Sequence, residues 1–209
     1  PLKFPLTGPH MLAKTLTDRH YGTKPKLAMA IAEALAAQVA HVDADVVQLD
    51  EANLPGHPDE WEWAAEAVNV VLSAVKTTPA IHLCFGNYGG QTVQSGTWDR
   101  LIDFLNALAV DHIVMETAHR PPEEIVAFRG LRPEIGLGIG VVDIKRTDVE
   151  SADDVARAIE RAESVLGAGR VRWVHPDCGF WMLKRSVADA KIRALVAGRD
   201  LFEGRAGGT

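Results

Sequence analysis

Short apolar runs of strand length alternate with longer helix-like runs along nearly the whole chain, and this alternation restricts the fold more than any other feature. Strands are read at Leu2–Leu6, at Asp45–Leu49, in a run opened by Pro79 that carries His82 and Cys84, at Ile113–Met115 leading into Glu116, at Ile135–Val141 and at Val171–Val174. Helices are predicted at Lys24–Val42, Asp59 to about Lys76, Trp98–Ala109, Pro121 to about Arg129, Ala152–Leu166 and about Arg185 to Gly198. Ser151, with Asp154 three residues on, reads as a cap for the Ala152 helix. The Pro- and Gly-bearing stretch 53–58 is a loop; the polar, glycine-bearing stretch 86–96 reads as a loop that covers substrate. The tail 203–209 is expected to fray. A parallel neighbour needs a crossover connection, so strands separated by helices predict an α/β fold with a parallel sheet.

The 209 residues, 47% of them hydrophobic, suffice for one substantial core and are read as a single domain, 1–209. A net charge of −6 offers no basic surface for phosphates, so no nucleic-acid partner is implied. No apolar run approaches the roughly 20 residues that span a bilayer, and no membrane partner is implied. The opening PLKFPLTGP lacks the basic-then-apolar pattern of a signal peptide, which points to the cytoplasm. Two cysteines at strand exits do not form a disulfide framework; reduced, metal-bound thiolates fit better.

Residues two apart on a strand share a face, so His82 and Cys84 project side by side. The second cysteine, Cys178, follows the strand at 171–174 in the run HPDCG, and Glu116 closes a third strand. A His-x-Cys pair alone on an apolar strand is more often core packing than a metal site. Two thiols, an imidazole and a carboxylate, all at strand exits, instead make a zinc ligand set. Asp50 and Glu51 close another strand at the same end. Gly136, Gly138 and Gly140 lie inside a strand and open no helix, which speaks against a dinucleotide site. The histidines at 10, 20, 41, 57, 112, 119 and 175 have no matched partner in the sequence, and the five tryptophans read as core or interface.

The pieces LTGP (Leu6–Pro9), VQLDE (Val47–Glu51), HLC (His82–Cys84), MET (Met115–Thr117), GIGVVDIK (Gly138–Lys145) and HPDCG (His175–Gly179) occur in this order. Together they resemble the C-terminal catalytic barrel of the cobalamin-independent methionine synthase family and its shorter relatives. The resemblance implies a (β/α)8 TIM-type barrel, of which the six strands read here would be the part that follows the first two. It implies zinc held by His82, Cys84, Glu116 and Cys178, substrate binding by Asp50 and Glu51, and catalytic roles for Asp143 and Lys145. The implied reaction moves a methyl group from 5-methyltetrahydrofolate, as its polyglutamate, to the thiol of homocysteine, giving methionine. Asp177 would support the ligand beside it.

Two departures from the family pattern leave alternatives open. Ala52 stands where a proline usually follows the acidic pair, and Lys145 stands where methionine synthases commonly have a proton-donating histidine. Lys145 then acts as an acid with a lowered pKa, anchors an anionic group, or is simply solvated. The thiol could also be another one, such as coenzyme M, or the chain a truncated zinc-binding barrel without activity of its own.

Overall fold

The computed structural model describes residues 1–181 and 183–205. Six strands form one sheet: β1 (Lys3–Thr7), β2 (Val46–Glu51), β3 (Thr78–Leu83), β4 (His112–Met115), β5 (Gly136–Val142) and β6 (Val171–Pro176). They pair in parallel and in chain order, with β1 and β6 at the two edges. The helices are α1 (Pro9–Thr15), α2 (Lys24–Val39), α3 (Trp61–Leu72), α4 (Ile102–Ala107), α5 (Ala152–Leu166) and α6 (Arg185–Phe202). A parallel sheet flanked by helices in this sequential order is a TIM-barrel-like α/β fold. No helix among the described residues is long and apolar enough to cross a membrane.

The two-residue period of the strands divides the sheet into unlike faces. Val47 and Leu49, Ile81 and Leu83, Ile113 and Met115, and Leu137 and Ile139 are buried in one apolar cluster with helix residues such as Ala32, Val68, Phe104 and Ile159. The intervening residues, among them Gln48, Asp50, His82, His112 and His175, form a polar opposite face. Lys3 reaches across that face to donate to Gln48 Oε1 at 3.0 Å, and Gln48 donates to Asp50 Oδ1 at 2.7 Å.

Gly136, Gly138 and Gly140 take their meaning from this face. A Cβ on Gly136 would meet the ring of Trp173, on Gly138 the ring of His175, and on Gly140 the carboxylate of Asp177. The glycine-rich run is therefore the bed on which three side chains of β6 and its exit lie, with no role in gripping a phosphate.

Several boundaries differ from those the sequence predicts, for local reasons. Helix α2 ends at Val39, and α3 starts at Trp61 after a 3-10 turn, with no capping bond from Asp59. The segment after Pro121 is a 3-10 helix, Pro122–Gly130. A further 3-10 turn, Trp98–Leu101, precedes α4. Helix α6 continues past Gly198, because Val155 of α5 packs where a side chain at that position would stand. The expected cap on α5 is present as a full capping box, with Ser151 and Asp154 bonded reciprocally. Of the tail, Glu203 and Gly204 form a turn, and residues 206–209 lie outside the described residues.

Two measurements test this reading of β5 and β6. Asp177 is fully buried, so Gly140→Ala should cost about 1–3 kcal/mol of stability in chemical denaturation, the usual cost of overpacking. His175 donates from Nδ1 to the Pro176 carbonyl at 2.7 Å, its buried Nε2 has no partner among the described residues, and burial lowers its pKa to about 4. The folded state thus keeps it neutral while the unfolded chain takes up a proton below about 6.5. Its contribution is complete above pH 6.5 and is lost as pH falls to 4. The drop over that window should exceed that of His175→Gln by about 3 kcal/mol.

Candidate metal centre

Strand β3 and the exit of β6 bring three candidate ligand residues together. His82, Cys84 and Cys178 offer ligand atoms that all lie within 4.8 Å of one another. The carbonyl of Val114 can only accept, so His82 Nδ1, 3.1 Å away, carries the proton. That leaves Nε2 as a free lone pair, 3.2 Å from Cys178 Sγ. A ring fixed in this tautomer by a backbone carbonyl is the arrangement a metal-binding histidine needs.

The electrostatics of the three groups are strongly coupled. The neighbouring Cys178 sulfur and then burial raise the Cys84 pKa well above the ordinary thiol value. Burial opposes protonation of His82, yet the adjoining Cys84 sulfur outweighs it and the net shift is upward. Two thiols and an imidazole with an outward lone pair, largely shielded from water, suit a soft divalent ion such as zinc. A cavity of about 180 Å³ opens beside the three, lined also by Met11, Asp50, Glu51, Ala52, Asn87 and Trp181.

Glu116 is not in the group of three. Its carboxylate is fully buried, and both of its oxygens have other partners: Oε1 pairs with Lys145 Nζ at 2.7 Å, and Oε2 accepts from the Phe85 N–H at 2.9 Å. Lys145 is therefore no solvated residue; its side chain is 1% exposed. Asp143 Oδ1 accepts the Lys145 backbone N–H at 2.8 Å, and Oδ2 lies 2.9 Å from His119 Nδ1.

The acidic pair divides its work. Asp50 faces the cavity from the polar side of the sheet. Glu51, also at the cavity, accepts the backbone N–H groups of His10 and Met11 at 2.9 and 2.8 Å, satisfying the first turn of α1. Burial raises its pKa. Asp177 accepts from the N–H groups of Thr117, Ala118 and His119, tying the exit of β4 to the segment that carries Cys178; burial pushes its pKa up to about 7.

Three residues have roles the sequence did not disclose. His10 is buried, donates to Glu60 Oε2 at 2.8 Å and lies against the Trp63 ring. His119 has Asp143 as its partner. Trp181 is 66% exposed at the cavity rim, whereas Trp98 is fully buried and donates to the Glu116 carbonyl. Their partners lie 24 to 50 residues away in the chain, a distance that leaves no local signal for His10 or His119.

With this geometry established, similarity to known proteins is specific. The family model described as "Cobalamin-independent synthase, Catalytic domain" matches residues 1–199. A methionine synthase of Thermococcus kodakarensis is 30% identical over 203 residues, covering 96% of this chain and 57% of the relative. One from Pyrococcus abyssi is 29% identical over 198 residues, covering 93% of this chain and 55% of the relative. The structure of a B12-independent methionine synthase from Shewanella sp. W3-18-1 in complex with selenomethionine superposes with a TM-score of 0.84 at 26% identity, covering 98% of this chain and 62% of that one. The chain thus spans little more than half the length of the curated relatives it matches. It belongs to the cobalamin-independent synthase catalytic-domain family.

Proposed function

We propose that this chain carries the metal centre of a methyltransferase that moves a methyl group from 5-methyltetrahydrofolate, as its polyglutamate, to the thiol of homocysteine. The observation that carries the reading is the close approach of His82, Cys84 and Cys178, with the His82 tautomer already set for a ligand at Nε2. Zinc, when bound there, would keep a substrate thiol deprotonated at neutral pH. Selenomethionine in the Shewanella relative resembles the methylated product and supports a homocysteine-sized substrate.

Each remaining residue is assigned from its surroundings. Asp50, at the cavity beside the three ligand residues, is the carboxylate for the substrate ammonium. Glu51 keeps the start of α1, and with it Met11, against the same cavity. In the overall reaction the methyl carbon leaves the folate nitrogen for sulfur, and the nitrogen takes up a proton; Asp143 and Lys145 belong to the catalytic set. Asp143 holds the Lys145 backbone and His119, so its role begins with positioning. Trp181, exposed at the rim, is placed to cover an occupant. The parallel order of β1 to β6 is that of six strands of a (β/α)8 barrel. Two free cysteines that must ionise to bind metal suit a reducing compartment such as the cytoplasm.

Metal analysis of the purified chain should find about one zinc per chain. Cys178→Ser should lose most of it while retaining helical circular dichroism, because Cys178 lies on a half-buried turn rather than in the apolar core. A protein with both thiols reduced and no affinity for zinc would end this reading.

A further inference from the structure

A line of polar side chains crosses the polar face of the sheet and ends at Asp50. Asp111, just before β4, lies 3.0 Å from His112 Nδ1, and Lys3 Nζ lies 3.5 Å from His112 Nε2. Lys3 also donates to Gln48 Oε1 at 3.0 Å, and Gln48 Nε2 donates to Asp50 Oδ1 at 2.7 Å. An ammonium group can only donate, so Lys3 fixes the direction of every bond in the line. His112 must offer Nε2 as a lone pair and give the proton on Nδ1 to Asp111. Gln48 must turn its oxygen to Lys3 and its N–H groups to Asp50.

Asp50 lines the cavity with His82, Cys84 and Cys178, and it stands opposite His82 in the register of β2 and β3. Gln48, two residues back on the same strand, faces the same way and is 9% exposed. Its amide engages one carboxylate oxygen of Asp50, which restrains the carboxylate and leaves Oδ2 for another partner. Lys3, on the edge strand β1, stays in contact with solvent, so its charge does not depend on Gln48. We propose that Gln48, oriented by Lys3, is a positioning residue that presents Asp50 to an ammonium group, so that the site selects aminothiols over thiols without a charged amine. A carboxylate ordered before the ligand arrives avoids the entropy cost of ordering it on binding. The inference rests on the assignment of Asp50 given above and adds what holds its carboxylate in place.

Titration calorimetry of the zinc-loaded full chain tests it with two thiols that differ only in the amine, homocysteine and 4-sulfanylbutanoate. The wild type should bind homocysteine more tightly. Gln48→Met keeps the size of the side chain and removes its donor; it should weaken homocysteine about tenfold and leave 4-sulfanylbutanoate unchanged. Lys3→Met frees the Gln48 amide to turn over, so it should act in the same selective direction, by about threefold. Thermal melts by circular dichroism check that both variants fold. A Gln48→Met variant that weakens both thiols alike would show a merely structural role and overturn the proposal, and so would one that changes neither. If the wild type binds the two thiols equally, Asp50 does not hold the ammonium, and if it binds no thiol the methyltransferase reading has failed. Either result removes this inference by removing its premise, and each is distinct from an effect of Gln48→Met.

Discussion

Everything in this structure depends on the sheet having two chemically opposed faces. With helices covering one side, residues such as Leu49, Ile81, Ile113 and Leu137 bury their side chains in the helix-backed core. Each neighbour in sequence then has to face the other way. Fully buried apolar surface contributes roughly 25 cal/mol per Å², so the outer face sets the register of every strand. The inner face is left to polar groups, and they converge where the strands end. His82 and Cys84 sit on one side because Ile81 and Leu83 are needed on the other. The candidate metal centre is in this sense a consequence of packing the core.

A polar face of this kind needs its groups paired, and the pairing runs from the outermost helix to the centre. Lys191 of α6 is fully buried and holds the carboxylate of Glu150 at 2.9 Å. Glu150 in turn accepts the Asp143 N–H at 2.9 Å, and Asp143 accepts the Lys145 N–H. Lys145 ends the sequence of contacts on Glu116. A parallel arrangement secures the other side, where Glu60 binds both Lys14 and His10, and Glu51 holds the backbone of α1. The loops that follow β2 and β5 are therefore braced by buried charge, which fixes the side chains at the cavity more firmly than loop backbone alone would.

How much of this was legible follows from how local each cause is. The strands and the His82–Cys84 pair could be read because a two-residue period is written in neighbouring letters. The capping box at Ser151 was legible for the same reason. Helix α1 was not: it has seven residues, and its free N–H groups are satisfied by Glu51, some 40 positions away. Gly198 looked like a helix stop, yet it is a contact point for Val155. The three glycines of β5 could be recognised as unsuited to a nucleotide loop, while their actual use required knowing which side chains of β6 lie across from them. Its strand exit supplied Glu116 as a site residue and family resemblance supplied Lys145, but their bond to each other spans 29 positions and became visible only in three dimensions.

That bond also shows why a substitution at one position of a shared motif has to be read with its partner. A histidine at position 145 could shed its charge near neutral pH, leaving Glu116 free to seek another cation. A lysine carries its charge under the same conditions, and here it is aimed at the carboxylate and shut away from water. Position 145 thus reaches the exit of β3 without touching His82, Cys84 or Cys178, through a carboxylate that also accepts the Phe85 N–H.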